Sequence, residues 1–275
     1  MELNIATTAV NLLLGLTLLT IFINQRSDLL KTQIDFLTFA IVLNGLVLSV
    51  AANIHYDIFI LYFHRTLPYG LCQFGGTLVT LVVAGNQTLH ALIAVERYLK
   101  IFGSKFKFPA TFILVTFSFS MVIAVLAIMW IQGYHVMESE IFCFLDLSSR
   151  EGLDLAANLI LMAFIMVNTL IIIACYGTIY RKVNTEKSEA SKTLKIQNQK
   201  VAKKFLIISL AYFLAYAPSY TCFLYRFITG SRISKELEYI HTYISLCEPS
   251  ITYTLLFYLN SNYRKGFQKL LSAWF

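Results

Sequence analysis

Long apolar runs dominate the chain. They cover about 5–24, 34–54, 71–98, 109–131, 153–180, 201–228 and 237–259, and charge or turn chemistry cuts them apart at Gln25 to Asp28, His64 to Pro68, Lys105 to Pro109, Arg181 to Lys204 and Gly230 to Arg232. A run of roughly 20 apolar residues coiled as helix matches the hydrocarbon thickness of a bilayer. The pattern therefore predicts an all-α membrane protein, a single domain over residues 1–275 with seven spanning helices. The first run has no basic residue ahead of it and no small-residue cleavage site before Arg26, so it reads as a retained helix. After the seventh run, Tyr263, Phe267, Leu270, Leu271 and Trp274 recur at helical spacing with Arg264, Lys265, Gln268 and Lys269 between them. That spacing predicts a short amphipathic helix over 261–274, lying in the interface beside membrane lipids.

Composition supports the same class. The 275 residues are 57% hydrophobic and 13% charged, with a mean hydropathy of +0.67, whereas a soluble domain carries about 25% charged residues. The net charge of +7 could suggest nucleic acid, but its distribution does not. With residue 1 outside, 17 of the 22 Lys and Arg residues fall on the inner side, and basic inner loops are what orient membrane helices. The expectation is a multi-pass plasma-membrane protein with an external N-terminus and no nucleic-acid partner. Five cysteines without a CxxC or Cys/His cluster exclude a zinc module. No HExxH, GxSxG or intramembrane aspartate pair occurs, so an enzyme reading has no nucleophile or metal to stand on.

Specific residues carry the reading further. Glu96-Arg97-Tyr98 ends the third run and Cys72 stands near its start, 25 positions earlier. That separation is about 37 Å of helix at roughly 1.5 Å per residue, so the two sit at opposite faces of a bilayer. A second cysteine, Cys143, lies in the outer loop before the fifth span, in a compartment where a bridge could form. The sixth run carries Ala215-Tyr216-Ala217-Pro218, the fifth ends in Cys175-Tyr176-Gly177, and Leu259-Asn260 to Phe267 follows the seventh. Together these motifs resemble the rhodopsin-like G-protein-coupled receptors over almost the whole chain. Departures mark a divergent member. Tyr216 stands for the family's toggle tryptophan and Asn168 for its fifth-helix proline; counted back from Tyr263, the Asn-Pro-x-x-Tyr position falls on Thr252, Tyr253 and Leu256, and the visible Glu248-Pro249-Ser-Ile-Thr-Tyr253 lies several residues earlier, which leaves two registers open.

The resemblance implies a disulfide between Cys72 and Cys143, a resting pair of Arg97 with Glu96, and release of Arg97 to a heterotrimeric G-protein. The alternative for Arg97 is a snorkelling interfacial arginine. Tyr176, Tyr212 and Tyr216 are expected to line the bundle interior as an activation switch, with Pro218 as the bend. Glu248 is an intramembrane carboxylate, which is costly and usually marks function. Level with Asn44 and Asn86, it resembles the family's sodium pocket with the carboxylate moved to the seventh helix. It would hold sodium or a proton, or simply be protonated and hydrogen-bonded to the two amides. His90, one turn inward of Asn86, reads as either a proton-sensitive contact or a satisfied polar group.

A ligand pocket between outer helix halves would include Val79, Tyr220, Phe223 and Tyr243 and take a small or lipid-like ligand. Val79 holds the position where amine receptors carry an aspartate, which argues against a biogenic amine. No lysine lies in the seventh run, so a retinal Schiff base is excluded and no cofactor is expected. The competing class is a transporter or proton-linked carrier built on Glu248, although no internal repeat is visible.

Overall fold

The structure is a computed structural model and describes residues 2–24, 33–50, 69–102, most of 120–131, 135–136, 143–144, 152–185 and 192–274. Its helices are α1 (Glu2–Asn24), α2 (Gln33–Leu48), α3 (Tyr69–Phe102), α4 (the described helical residues between 120 and 131), α5 (Gly152–Thr185), α6 (Lys192–Thr229), α7 (Lys235–Leu246), α8 (Glu248–Leu259) and α9 (Ser261–Trp274). A two-residue antiparallel pair, β1 (His135–Val136) with β2 (Cys143–Phe144), sets Val136 opposite Cys143. Among the described residues, Ala6–Asn24, Gln73–Phe102, Leu155–Lys182 and Val201–Thr229 are long and apolar enough to cross a membrane. Asp35–Leu48 is a shorter apolar helix. The first half of the expected fourth span, 109–119, lies outside the described residues.

The helices close into a ring. α1 packs on α2, α2 on α3, α3 on α5, α5 on α6, α6 on α7 and α8, and α8 returns to α1. Val122 of α4 joins Ala84 of α3 and Phe164 of α5 in one apolar cluster. Leucines and isoleucines on the outer faces, such as Leu13, Leu170, Ile173 and Leu214, stay exposed, as a lipid-facing surface requires. α5 and α6 run well past the apolar stretches into the basic loop, because nothing but charge separates the two segments and charged helices are tolerated in water. The bundle thus has a basic end, bearing Arg97 and α9, and a far end, bearing the start of α3 and Gly230.

The seventh span differs from the continuous 237–259 helix the hydrophobic pattern predicts. It breaks at Cys247 into two helices of 12 residues each. Pro249 is the cause: it has no N–H to give to the Ser245 carbonyl one turn back, and its ring crowds that carbonyl. The α7 start is fixed by Ser234, whose hydroxyl accepts from Leu237 N at 3.3 Å. Gly230 ends α6 at a φ of 66°, its N–H donating to the Arg226 carbonyl at 2.8 Å.

Close packing holds the α1, α2 and α8 corner. A Cβ at Gly15 would lie 2.5 Å from Leu46, and one at Gly45 would lie 2.5 Å from the Tyr253 hydroxyl. Tyr253 uses that space to donate to the Val42 carbonyl at 2.9 Å. On α9, Tyr263 packs against Phe22 and Phe267 against Phe257, while Arg264, Lys265 and Lys269 remain exposed. One face of α9 is thereby docked on the bundle and the other is charged.

Candidate functional site

At the basic end, Arg97 is 5% exposed although its helix is entering polar surroundings. Its Nε lies 3.3 Å from Glu96 Oε2, and its guanidinium sits over the Phe205 ring of α6 at 5.3 Å. These contacts tie α3 to α6 without an acidic partner on α6. Tyr98 stacks on Phe102 at 4.5 Å, and Lys182 of α5 covers the other part of that corner, over Phe102 and donating to the Ile101 carbonyl. Beside Arg97 opens a cavity of about 340 Å³ lined by Asp35, Lys100, Lys204, Phe205, Leu256 and Asn262, among others.

Midway along the bundle, α8 inserts Glu248 at 1% exposure. Thr252 donates to Glu248 Oε1 at 2.6 Å and Asn86 donates to Oε2 at 3.3 Å. Asn44 donates to Asn86 Oδ1 at 2.9 Å and to the Val82 carbonyl at 2.7 Å. The three residues named from sequence therefore meet in one network, joining α2, α3 and α8. A carboxylate can survive in this setting only because both oxygens are hydrogen-bonded. Among the described residues, no cluster of three or more His, Cys, Asp or Glu residues could hold a metal ion.

A tyrosine file runs down α6 facing α3. Tyr220 donates to Gln87 Oε1 at 3.4 Å, and the Tyr220 and Tyr212 hydroxyls are 3.5 Å apart. The Tyr216 ring lies between them, 4.8 Å from Tyr212 and 5.9 Å from Tyr220. Tyr212 in turn packs on His90 at 4.5 Å, and His90 Nδ1 lies 3.3 Å from the Ser209 hydroxyl. Tyr176 of α5 is buried near Ser209 and Arg97, its hydroxyl without a hydrogen-bond partner. The spacing at 212, 216 and 220 is one turn per step, which is why a single helix face carries all three. Pro218 lies inside α6 between the last two, leaving the Leu214 carbonyl without its helical donor.

Above this file, at the far end, is a cavity of about 90 Å³. Val79, Tyr216, Tyr220 and Phe223 line it together with Gln87, Thr242 and His241. Tyr243 does not: it faces α1, its hydroxyl 2.7 Å from Thr7 Oγ1. Lys235, the first residue of α7, is exposed and away from the cavity. The side chains of Cys72 and Cys143 lie outside the described residues, so the expected bridge is not tested; the strand of Cys143 does pack against α3.

Sequence reading missed a second buried charge pair. Arg226 Nη1 donates to Glu238 Oε1 at 2.8 Å, with side chains 4% and 0% exposed. The signal was present: an arginine near the end of one apolar run and a glutamate at the start of the next, across a Gly230 turn. Below the pair, Ser219 lies 3.0 Å from His241 Nδ1 and 2.7 Å from Ser245 Oγ, so α6 and α7 are joined by charge and by hydroxyls. Asn11 of α1, also unnoticed, donates to the Leu246 carbonyl just where the seventh span breaks, and accepts from Ser250.

Comparison with known proteins agrees with this architecture. The family model described as 7 transmembrane receptor (rhodopsin family) matches residues 16–260. Among solved structures, the crystal structure of squid rhodopsin superposes with a TM-score of 0.82 at 16% sequence identity, over 98% of this chain and 85% of that one. At that identity the likeness speaks for the fold. A search of curated proteins finds no match. With seven predicted spans, a closed helical ring and a family match over nearly its whole length, the chain belongs to the rhodopsin family of seven-transmembrane receptors.

Proposed function

We propose that the chain is a ligand-gated receptor of the plasma membrane that activates a heterotrimeric G-protein, its basic end in the cytoplasm and residue 1 outside. The observation that carries this reading is the file from Gln87 and Tyr220 through Tyr216, Tyr212 and His90 toward Tyr176 and Arg97. It joins a far-end cavity that could hold a small ligand to a basic-end cavity that could hold a protein segment. Tyr216 sits at the junction, lining the far-end cavity and stacking on the next ring down. A ligand that favours one rotamer there would favour one arrangement of α6 against α3. Arg97, held by Glu96 and Phe205 and by no acid on α6, is weakly restrained and free to be recruited.

The Glu248 network would set the resting state, holding a proton or a cation between α2, α3 and α8. Retinal is not the ligand, since no lysine amine is available in the seventh span for the Schiff base. Nucleotide exchange on a reconstituted G-protein tests the proposal. Receptor-dependent exchange that vanishes in Arg97→Ala, with the variant still folded, is the expected result. Electrogenic flux abolished by Glu248→Gln, with no exchange, would replace the receptor by a carrier.

A further inference from the structure

The far-end cavity has an unusual lining. Its walls are Val79, Val83, Leu161, Phe164, Phe223 and Leu246, and no Asp, Glu, Lys or Arg lines it among the described residues. Yet three of its lining side chains carry buried polar atoms without a hydrogen-bond partner: the Tyr216 hydroxyl, His241 Nε2 and Thr242 Oγ1. Each of these atoms is closed off from the slot at rest; a buried polar atom left unpaired costs about 1–3 kcal/mol, so an occupant that pairs it would favour a small movement of its side chain toward the slot.

The nearby charges are already engaged. Glu248 receives Asn86 and Thr252, and Arg226 is bound to Glu238. An ionic occupant would therefore enter an apolar slot with no counter-ion among the described residues of its wall, a cost that neutral molecules avoid. The hydroxyls of Tyr216 and Thr242 both donate and accept, whereas a hydrocarbon would leave them unpaired. At about 90 Å³ the cavity is also well below the roughly 300–1,000 Å³ of sites for drug-sized ligands.

We infer that this cavity binds a compact, uncharged, mostly apolar molecule carrying a hydrogen-bonding oxygen such as a ketone or alcohol, held at Tyr216 and Thr242. The inference rests on the receptor reading above only for its consequence; binding itself is independent of it. Tyr216 thereby links oxygen recognition to the tyrosine file.

Four ring compounds of like shape make the test: cyclohexanone, cyclohexane, cyclohexylammonium and cyclohexanecarboxylate. Each is added to the full-length receptor in lipid nanodiscs, and the rise in unfolding temperature reports binding. Cyclohexanone should stabilise the wild type, the two ions should not, and cyclohexane should do so at least about tenfold more weakly. Tyr216→Phe and Thr242→Val each keep their shape and should weaken cyclohexanone about tenfold, as expected for a lost hydrogen bond to an otherwise unpaired group. Val83→Phe should fill the slot and remove the effect. Binding of either ion as tight as that of cyclohexanone, equal binding of cyclohexane, or unchanged binding by both Tyr216→Phe and Thr242→Val would overturn the inference. Nucleotide exchange is read in parallel: cyclohexanone binding without exchange defeats the receptor reading alone, and exchange driven by a charged ring defeats the ligand class alone.

Discussion

The two cavities of this bundle are built from opposite materials. The far-end one is small, about 90 Å³, and its wall is hydrocarbon with a few hydroxyls and one imidazole. The basic-end one is near 340 Å³ and is lined by Asp35, Arg97, Lys100 and Lys204 beside Phe205 and Leu256. Charge left facing a cavity is stable only where water or a charged partner can reach it. The far end buries its own charges instead, locking Arg226 onto Glu238 away from the slot. By its lining alone, the far-end cavity is suited to a neutral small molecule and the basic-end cavity to a charged surface. Residues of α2, α3 and α6 line both cavities, so the proposed coupling would run through these helices.

The sharpest way to break this comparison is at Arg97. Arg97→Ala should reduce G-protein nucleotide exchange to background while leaving cyclohexanone-induced stabilisation intact, since no contact of Arg97 reaches the far-end cavity. Loss of both together would mean that the ends are not separable in this way.

Next in size is the far-end pair. Replacing either member alone, as Arg226→Met or Glu238→Leu, strands a buried charge and should cost about 3–5 kcal/mol in thermal unfolding. The double variant should recover part of that loss, because two apolar side chains remove the stranded charge. A single variant with wild-type stability would show that water reaches the pair, and the contrast between the two ends would fade.

Gly45→Ala asks whether the contact of Gly45 with Tyr253, two residues that line neither cavity, is only scaffold. The new methyl would meet the Tyr253 hydroxyl at 2.5 Å, and the repacking should cost about 1–3 kcal/mol. Stability should fall with ligand affinity unchanged, as measured by unfolding with and without cyclohexanone. The smallest effect is expected from Tyr212→Phe, which removes only a long hydroxyl contact to Tyr220. It should change stability by about 0.5–1.5 kcal/mol yet weaken the ability of cyclohexanone to drive exchange. Unaltered coupling would place signal transfer in ring packing and not in the hydroxyls.

Much of this was legible in the amino-acid order. Apolar runs are long and unambiguous, so the spanning helices could be located, and the amphipathic spacing of Tyr263 and Phe267 placed α9 at 261–274. The meeting of Asn44, Asn86 and Glu248 was readable from register, because one residue per helix at a common depth suffices. What escaped depends on facts between helices. The break at Cys247 required weighing Pro249 against a strong hydropathy signal. The Arg226 to Glu238 pair required knowing that a short turn folds two loop-like charges back into the bundle. His241 and Thr242 carry no motif in the sequence, and only the packing of the helices makes them part of a cavity wall. Tyr243, by contrast, looked like a pocket residue and faces Thr7, because a one-residue step turns a helical side chain by about 100°.

The account turns on α3 and α6 changing their relation at the basic end. Spin labels at Lys100→Cys and Lys204→Cys, in a background with Cys175, Cys222 and Cys247 replaced, report the distance between these helices across the basic-end cavity. Measured by pulsed electron resonance in nanodiscs, the distance should widen beyond its resting distribution when cyclohexanone and nucleotide-free G-protein are both present, and Arg97→Ala should abolish the widening. A distribution that stays the same with and without both partners would contradict the account.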